Sequence, residues 1–293
     1  MTDPVISIRN LSKSFGSNEV LNSINAEVPR GDVIGLLGLN GSGKTTLIET
    51  LLGFSPASDG LVEIFGKNSF GDIDNDTKKC IGFVPQSDEL MQNISVKNYL
   101  NLIAGFYSHW NIKLIERLCA EWNIPLEQRT EKLSVGQKQK LAILTALGHE
   151  PELIVLDEPV ASLDPLARRQ FLKELVDIAD DQKRTIIFST HIVTDLERVA
   201  NKVWLLKDGD IAVREDLDTL KEHTVRVKLP PNTAIPESFS NDSLIHHRNE
   251  QLANILLFTQ WTAERHQELE QLIGEKLEPE YLSLEDIFLE LLQ

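Results

Sequence analysis

The sequence is poor in cysteine and lacks long apolar runs. Its two cysteines, Cys80 and Cys119, stand far apart, which disfavours a disulfide framework and a zinc site and fits a reducing cytoplasm. No apolar run approaches the ~20 residues that a membrane-spanning helix requires. The opening residues, MTDPVISIRN, lack the basic and then apolar pattern of a signal peptide. We therefore expect neither a disulfide-stabilised secreted domain nor a membrane-spanning one.

Basic residues are scarce relative to acidic ones. The chain has 29 Lys and Arg residues against 45 Asp and Glu residues, which gives a net charge of −16. Nucleic-acid binding needs concentrated positive charge, so we expect no nucleic-acid partner. The chain has 293 residues, of which 41% are hydrophobic and 25% charged, an ordinary mixture for one large or two modest packed domains.

The order of apolar patterns predicts an α/β fold. Alternating apolar residues in the first 70 positions predict half-buried strands, and DVIGLLG predicts a buried one. Between about Ser95 and Gly148, apolar residues recur three and four positions apart, as they do in helices. The segments ELIVLDEP and RTIIFSTH then flank a helix that begins at Asp164 and Pro165. Strands that alternate with helices in this way predict a parallel sheet.

The pattern changes near Asp218. The segment TVRVKLP predicts a new strand, and TAERHQELEQLIGEKL predicts an amphipathic helix. We therefore predict one domain over residues 1–218, with a helical subdomain at about 87–150, and a small α+β accessory domain over 219–293.

The segment GLNGSGKTT predicts a phosphate-binding loop between a strand and a helix. Its glycines allow backbone N–H groups to turn towards phosphate oxygens, and the following helix adds its dipole. Lys44 is expected to reach the β- and γ-phosphates, and the Thr45 hydroxyl is expected to bind Mg²⁺. The alternative is a chance glycine-rich turn. The residues predicted to contact the nucleotide are Gly38, Asn40, Gly41, Ser42, Gly43, Lys44, Thr45 and Thr46.

Two later apolar strands end in residues suited to catalysis. LIVLDEP would deliver Asp157 and Glu158 to the carboxyl edge of the sheet, where α/β folds bind ligands. Asp157 suits a Mg²⁺ contact, and Glu158 suits polarising the attacking water. IIFSTH brings His191 to the same edge, where it could contact the γ-phosphate. The alternatives are acidic residues that merely close a strand and a surface histidine.

The phosphate loop, LSVGQ, LIVLDEP, SLD and a strand ending in His191, in that order, resemble the ATP-binding subunit of an ABC transporter. The resemblance covers about residues 4–215. It implies a P-loop NTPase fold with a mixed sheet, an antiparallel β subdomain and a helical subdomain. It also implies an ATPase that uses ATP and Mg²⁺, in which two cassettes pack head to tail and each ATP lies between them.

The resemblance assigns roles to three more residues. Phe15 occupies the position at which the family stacks an aromatic ring on adenine, although a core aromatic is the alternative. Gln86 matches the glutamine that contacts Mg²⁺ and the water, with a polar turn as the alternative. Asp164 matches a loop at the dimer interface, and it also suits a helix cap.

LSVGQ matches the helix that holds the partner's γ-phosphate. The resemblance assigns this contact to Ser134, Gly136 and Gln137, whereas Ser134 alone also reads as a helix N-cap. The family's usual first glycine is Val135 here. Because a β-branched residue disfavours positive φ, we expect ordinary backbone at Val135 and a phosphate contact that rests on Ser134 and Gly136.

Segments such as AGFYSHWN, STHIVTDLERVANKV and SLEDIFLELL resemble bacterial exporters of antibiotics and antimicrobial peptides. This similarity implies a cytoplasmic subunit on the inner face of the membrane, where ATP-driven dimerisation of two cassettes drives a separate integral permease. The two cassettes could be identical or different. The alternative is a cytosolic ABC ATPase of iron–sulfur assembly or of the ribosome.

Overall fold

The computed structural model describes residues 3–71, 73–87, 90–179, 184–231, 233, 244–249 and 254–292. The chain forms two compact units, one of residues 1–200 with 205–211 and one of 201–204 with 212–293. Within the described ranges, no helix has the length and apolar content of a membrane span.

The first unit begins with the strands of an antiparallel sheet, and a buried strand and a helix lie between them in chain order. The elements in chain order are β1 (Ile6–Phe15), β2 (Asn18–Val28), β3 (Val33–Leu37), α1 (Lys44–Leu51), β4 (Asp59–Ile64) and β5 (Lys67–Asn68). Strands β2, β1, β4 and β5 are adjacent in that order, and each pair is antiparallel. Ile6, Ile8 and Leu11 of β1 are buried, as expected for a strand with one face on the core.

A helical segment follows, as the spacing of apolar residues predicts. It contains α2 (Asn75–Lys78), β6 (Ile81–Val84), α3 (Val96–Ala104), α4 (Ile112–Glu121), a short 3₁₀ turn (Thr130–Lys132) and α5 (Val135–Leu147). Ser95 caps α3 by accepting from the Asn98 N–H, and Asn111 caps α4 by accepting from the Leu114 N–H. These polar caps fix where the helices begin.

The next part of the chain completes the central sheet. Its elements are β7 (Leu153–Leu156), α6 (Pro165–Ala179), β8 (Thr185–Thr190), α7 (Val193–Val199), β9 (Lys202–Lys207) and β10 (Asp210–Asp216). Residues 202–204 of β9 and 212–216 of β10 belong to the second compact unit. The strand order is β10-β9-β3-β8-β7-β6, and the pairs β3–β8, β8–β7 and β7–β6 are parallel. Strands β3, β7 and β8 are buried along their whole length. Because they pair in parallel, their carboxyl ends lie at one edge of the sheet.

The second unit is an α+β fold with its own core. Its elements are α8 (Leu217–His223), β11 (Val225–Leu229), β12 (Leu244–Asn249), β13 (Asn254–Phe258), α9 (Ala263–Ile273), β14 (Glu280–Tyr281) and α10 (Leu284–Leu292). The strands form an antiparallel sheet in the order β12-β13-β11-β14. Phe258, Trp261 and Leu269 are buried in its core. Gly274 ends α9 in the left-handed conformation that glycine adopts without steric cost.

Candidate functional site

The predicted site residues converge on one edge of the central sheet. Gly38 follows β3, Asp157 and Glu158 follow β7, and His191 follows β8, while Gln86 lies two residues after β6. Parallel pairing aligns these four strand ends. The site therefore lies where open α/β sheets bind their ligands.

The glycines of the phosphate loop are required by its backbone. Gly41 and Gly43 have φ of 81° and 102°, which L side chains rarely adopt. A Cβ at Gly38 would lie 2.5 Å from Ser42 Oγ and 2.8 Å from the Leu206 carbonyl oxygen. Gly43 precedes α1 and has no side chain to occupy the N–H groups of its first turn. Those N–H groups and the helix dipole suit an anion.

Lys44 lies at the start of α1 with its ammonium group directed into the loop. The Nζ donates to the Gly38 carbonyl at 2.8 Å and to the Leu39 carbonyl at 3.1 Å. It also lies 3.5 Å from Oε1 of Glu158. The positive charge is thus held within the phosphate loop and beside the end of β7.

A cleft of about 420 Å³ brings together most of the predicted nucleotide contacts. Phe15 is 54% exposed at this cleft, so the interpretation of Phe15 as a core aromatic is wrong. The lining residues are Phe15, Val20, Asn40, Gly41, Gly43, Lys44, Thr45, Thr46, Gln86 and Glu158.

The two carboxylates after β7 have different surroundings. Asp157 is 1% exposed, and its Oδ1 accepts a hydrogen bond from Ser189 at 2.6 Å. Glu158 has Oε2 at 3.0 Å from His191 Nδ1. Glu158 can therefore interact with both the cation of the phosphate loop and an imidazole, which suits a base that handles a proton.

Hard oxygen donors at this edge fit a magnesium ion. The Asp157 carboxylate, the Thr45 hydroxyl and the Gln86 amide are ligands of the type that Mg²⁺ accepts. In the part of the chain that the structure describes, no group of three or more His, Cys, Asp or Glu residues could hold a metal. This donor set fits Mg²⁺, which usually takes one or two carboxylates and completes its shell with substrate phosphates and water.

The LSVGQ residues begin α5 and form a reciprocal cap. Ser134 Oγ accepts from the Gln137 N–H at 3.3 Å, and Gln137 Oε1 accepts from the Ser134 N–H at 3.0 Å. Val135 is the first helical residue and does not have positive φ, as expected. A Cβ at Gly136 would lie 3.0 Å from the Ser162 carbonyl oxygen. Ser134, Gly136 and Gln137 are not among the residues that line the cleft.

Asp164 caps α6, as the sequence predicts. Its Oδ1 accepts from the N–H groups of Leu166 and Ala167, each at 3.0 Å. These backbone bonds, that of Ala167 above all, lower the pKa of the Asp164 carboxyl. The cap interpretation is therefore correct, and it leaves the residue exposed at the surface where an interface role is also expected.

Sequence reasoning missed two residues that support the site. Lys13 Nζ lies 4.7 Å from the centroid of the Phe15 ring and donates to the Pro56 carbonyl. Ser189 joins the ends of β7 and β8, because it donates to Asp157 and accepts from the Glu158 N–H at 2.8 Å. The sequence feature that could have pointed to Ser189 is a serine within the largely apolar segment IIFST.

The fold and the cleft define a P-loop nucleotide-binding protein. A family model described as ABC transporter matches residues 21–161. The bacitracin transport ATP-binding protein BcrA of Enterococcus faecalis is 31% identical over 74% of this chain and 70% of its own length. The Nod factor export ATP-binding protein I of a Rhizobium species is 33% identical over 71% of this chain and 70% of its own length. The solved structure of an ATP-binding subunit of an ABC transporter is 28% identical, with a TM-score of 0.66 over 74% of this chain and 92% of that one.

The chain belongs to the ABC transporter family. It is an ATP-binding subunit with the family's cassette fold, and it is an ATPase.

Proposed function

We propose that this chain drives export by a separate integral membrane permease, and that it binds to the cytoplasmic face of that permease. Support comes from relatives named for bacitracin transport and Nod factor export, and from the similarity of several segments to antibiotic exporters. We propose a peptide antibiotic or a similar amphipathic compound as the exported substrate.

In this proposal the cleft binds ATP through its own chain. Phe15 stacks on the adenine, the N–H groups of the phosphate loop bind phosphate oxygens, and Lys44 binds the β- and γ-phosphates. Thr45, Gln86 and Asp157 hold Mg²⁺, which neutralises phosphate charge when it is bound. The fit of these oxygen donors and the exposure of Phe15 support the assignment.

Glu158 is proposed as the residue that orients the attacking water and accepts its proton. Its Oε2 lies 3.0 Å from His191 Nδ1, so the imidazole can hold the carboxylate in place and extend towards the γ-phosphate. Lys44 lies at the other oxygen of Glu158, which places the base beside the phosphate-binding cation. Loss of the Glu158 carboxylate should therefore slow hydrolysis without removing the nucleotide site.

A second cassette is proposed to complete the site. The observation that carries this point is the position of Ser134, Gly136 and Gln137, which begin a helix but do not line the cleft of their own chain. A helix N-terminus with a serine and a glycine is suited to phosphate. These residues would therefore bind the γ-phosphate held by another cassette, with Asp164 at the same interface. The second cassette is either identical or different.

Purification of the tagged chain from membranes tests the proposed partnership. An integral membrane protein should co-purify, and its presence in liposomes should couple ATP hydrolysis to substrate movement. The Lys44→Ala variant is the control, because it should retain the partner and lose transport. Recovery of the chain with ribosomes or iron–sulfur proteins instead of a membrane protein would refute the proposal.

We further propose that residues 1–218 carry the ATPase and that 219–293 form an accessory domain.

A further inference from the structure

Ser189 lies in the central sheet directly beside the two carboxylates of the candidate site. Strands β7 and β8 pair in parallel with Leu156 opposite Phe188, so the next residues, Asp157 and Ser189, are neighbours as the strands end. Ser189 is fully buried at 0% exposure. A polar side chain in this position needs hydrogen-bond partners, since water does not reach it.

The hydroxyl of Ser189 contacts both acidic residues at once. Its oxygen accepts from the Glu158 N–H at 2.8 Å and lies 2.6 Å from Asp157 Oδ1. A backbone N–H can only donate, and a hydroxyl has one proton with two acceptor sites. When Asp157 is ionised, the Ser189 proton is therefore committed to Asp157, and its lone pair to Glu158.

The backbone of Glu158 has an unusual conformation. Its φ is 48°, in the left-handed region that residues other than glycine rarely occupy. Conformations of this kind persist when the surrounding structure holds them in place. The bond from the Glu158 N–H to Ser189 is one such constraint, and it sets the direction in which the Glu158 carboxylate leaves the strand.

The neighbouring residue provides a comparison within the same strand. Thr190 is also buried at 0% exposure and also carries a hydroxyl. Its Oγ1 accepts from the Ile192 N–H at 3.0 Å, within the turn that follows β8. The two adjacent hydroxyls thus bond to different segments, and it is Ser189 that contacts Asp157 and Glu158 at the carboxyl end of β7.

We propose that Ser189 is a positioning residue for ATP hydrolysis. It fixes the carboxylate of Asp157 for the magnesium ion and the backbone of Glu158 for the attacking water. The inference rests on the proposed roles of Asp157 and Glu158 and adds the residue that places both. An aliphatic residue at this position would leave a buried N–H and a buried carboxylate oxygen without this partner.

Ser189→Ala tests the proposal in the full-length protein. Removal of groups that orient metal ligands typically lowers activity or metal affinity 10- to 100-fold, so we expect kcat to fall by about that factor. KM should change little, because the residues that bind adenine and phosphate are untouched. Calorimetry should show unchanged ATP affinity in EDTA and a roughly tenfold smaller gain in affinity on addition of Mg²⁺.

Two further variants separate positioning from general stability. Ser189→Thr retains the hydroxyl and should recover most of the lost kcat. Thr190→Ala removes the adjacent buried hydroxyl and should not reproduce the loss of Mg²⁺-dependent affinity. Circular dichroism and thermal unfolding establish that each variant is folded. If Ser189→Ala does not fold, Ser189→Cys, with its weaker and longer hydrogen bond, should show the same reduction in kcat and in the Mg²⁺ effect.

The outcomes distinguish this inference from the proposed function. If Glu158→Gln hydrolyses ATP at the normal rate, the proposed role of Glu158 fails, and the role of Ser189 fails with it. If Glu158→Gln is inactive while Ser189→Ala keeps normal kcat and a normal Mg²⁺ effect, the inference about Ser189 alone is overturned. If Ser189→Ala and Thr190→Ala lose the same share of the Mg²⁺-dependent gain in ATP affinity, the inference about Ser189 is also overturned.

Discussion

Lys44 Nζ lies 3.5 Å from Oε1 of Glu158, and both side chains are 6% exposed. The pair joins the phosphate loop to the end of β7, although the two residues are far apart in the sequence. The ammonium group also donates to two carbonyl groups of the loop. Two of its three N–H donors are thus bonded within the loop where phosphate oxygens are expected to bind, and the group lies next to the carboxylate proposed to handle the proton.

Lys44→Ala should abolish ATP hydrolysis. The substitution removes the positive charge that the loop directs at the β- and γ-phosphates, and backbone N–H groups alone cannot replace it. Phosphate release is the measurement. Lys79→Ala is the control, since Lys79 is a partly exposed lysine paired with Asp76 and should tolerate the change. Hydrolysis near the normal rate in Lys44→Ala would contradict the assignment of the phosphate loop.

Phe15→Ala should weaken ATP binding by about 1–3 kcal/mol, the range found for stacking of a base on an aromatic ring. The ring lies exposed at the cleft, so its removal should affect the ligand more than the core. Fluorescence titration or calorimetry gives the affinity. Phe106→Ala is a matched control, because Phe106 is 66% exposed and does not line the cleft. Equal affinities for Phe15→Ala and the unmodified protein would rule out stacking.

His149 should make the stability of the first unit depend on pH. Burial lowers the pKa of His149, whose ring stacks on Tyr107 with centroids 4.0 Å apart. In the range between the ordinary value of about 6.5 and the lowered one, the unfolded chain binds the proton more readily. The contribution of neutral His149 to the free energy of unfolding is therefore fully present above about pH 6.5. It is lost as the pH falls from there towards the lowered pKa of the folded state.

His149→Phe tests this expectation, because phenylalanine keeps a ring against Tyr107 and does not titrate. The free energy of unfolding, measured in urea at pH 8.0 and at about pH 5.5, should fall less in the variant than in the unmodified protein. At pH 8.0 the histidine ring is neutral in both states, so any difference there reports packing and the lost hydrogen bond to the Ile81 carbonyl, and not the titration. Identical pH dependence in the two proteins would show that His149 does not contribute.

The sequence predicted the parallel sheet and most of the cleft because these depend on short patterns. DVIGLLG, LIVLDEP and IIFSTH each combine an apolar strand with functional residues at its end, and the structure contains all three strands. The sequence alone did not single out strands β4 and β5, because DGLVEI is a short segment and its apolar alternation is weak.

Contacts between distant segments could not be predicted. Ser189 reads as one polar residue in a buried strand, and its partner Asp157 is 32 positions away. Only the parallel pairing of β7 and β8 brings them together. The exposure of Phe15 likewise depends on how β1 meets the phosphate loop. The sequence was compatible with two roles for Ser134, a helix cap and a phosphate contact. The structure shows the cap, in which Ser134 Oγ accepts from the Gln137 N–H.

The central claim is that ATP joins two cassettes through the LSVGQ residues. Glu158→Gln removes the carboxylate that orients the water and retains the size of the side chain and Asp157. This variant should bind ATP, hydrolyse it very slowly and remain in the dimeric state. Each chain carries a net charge of −16, so without ATP the copies should repel and separate.

Two double variants provide the comparison. Adding Ser134→Arg to Glu158→Gln should prevent dimerisation and leave binding to the phosphate loop intact, because bulk and charge then occupy the proposed γ-phosphate position. Adding Ser95→Arg should not prevent dimerisation, since Ser95 is also a helix N-cap serine but caps a different helix, α3.

Sedimentation velocity of Glu158→Gln with ATP and with ADP is the most direct measurement. The account predicts a dimer in ATP, a monomer in ADP, and a monomer in ATP once Ser134→Arg is added. A Glu158→Gln variant that stays monomeric in saturating ATP, or a Ser134→Arg double variant that still dimerises, would contradict a phosphate site shared between two copies of this chain.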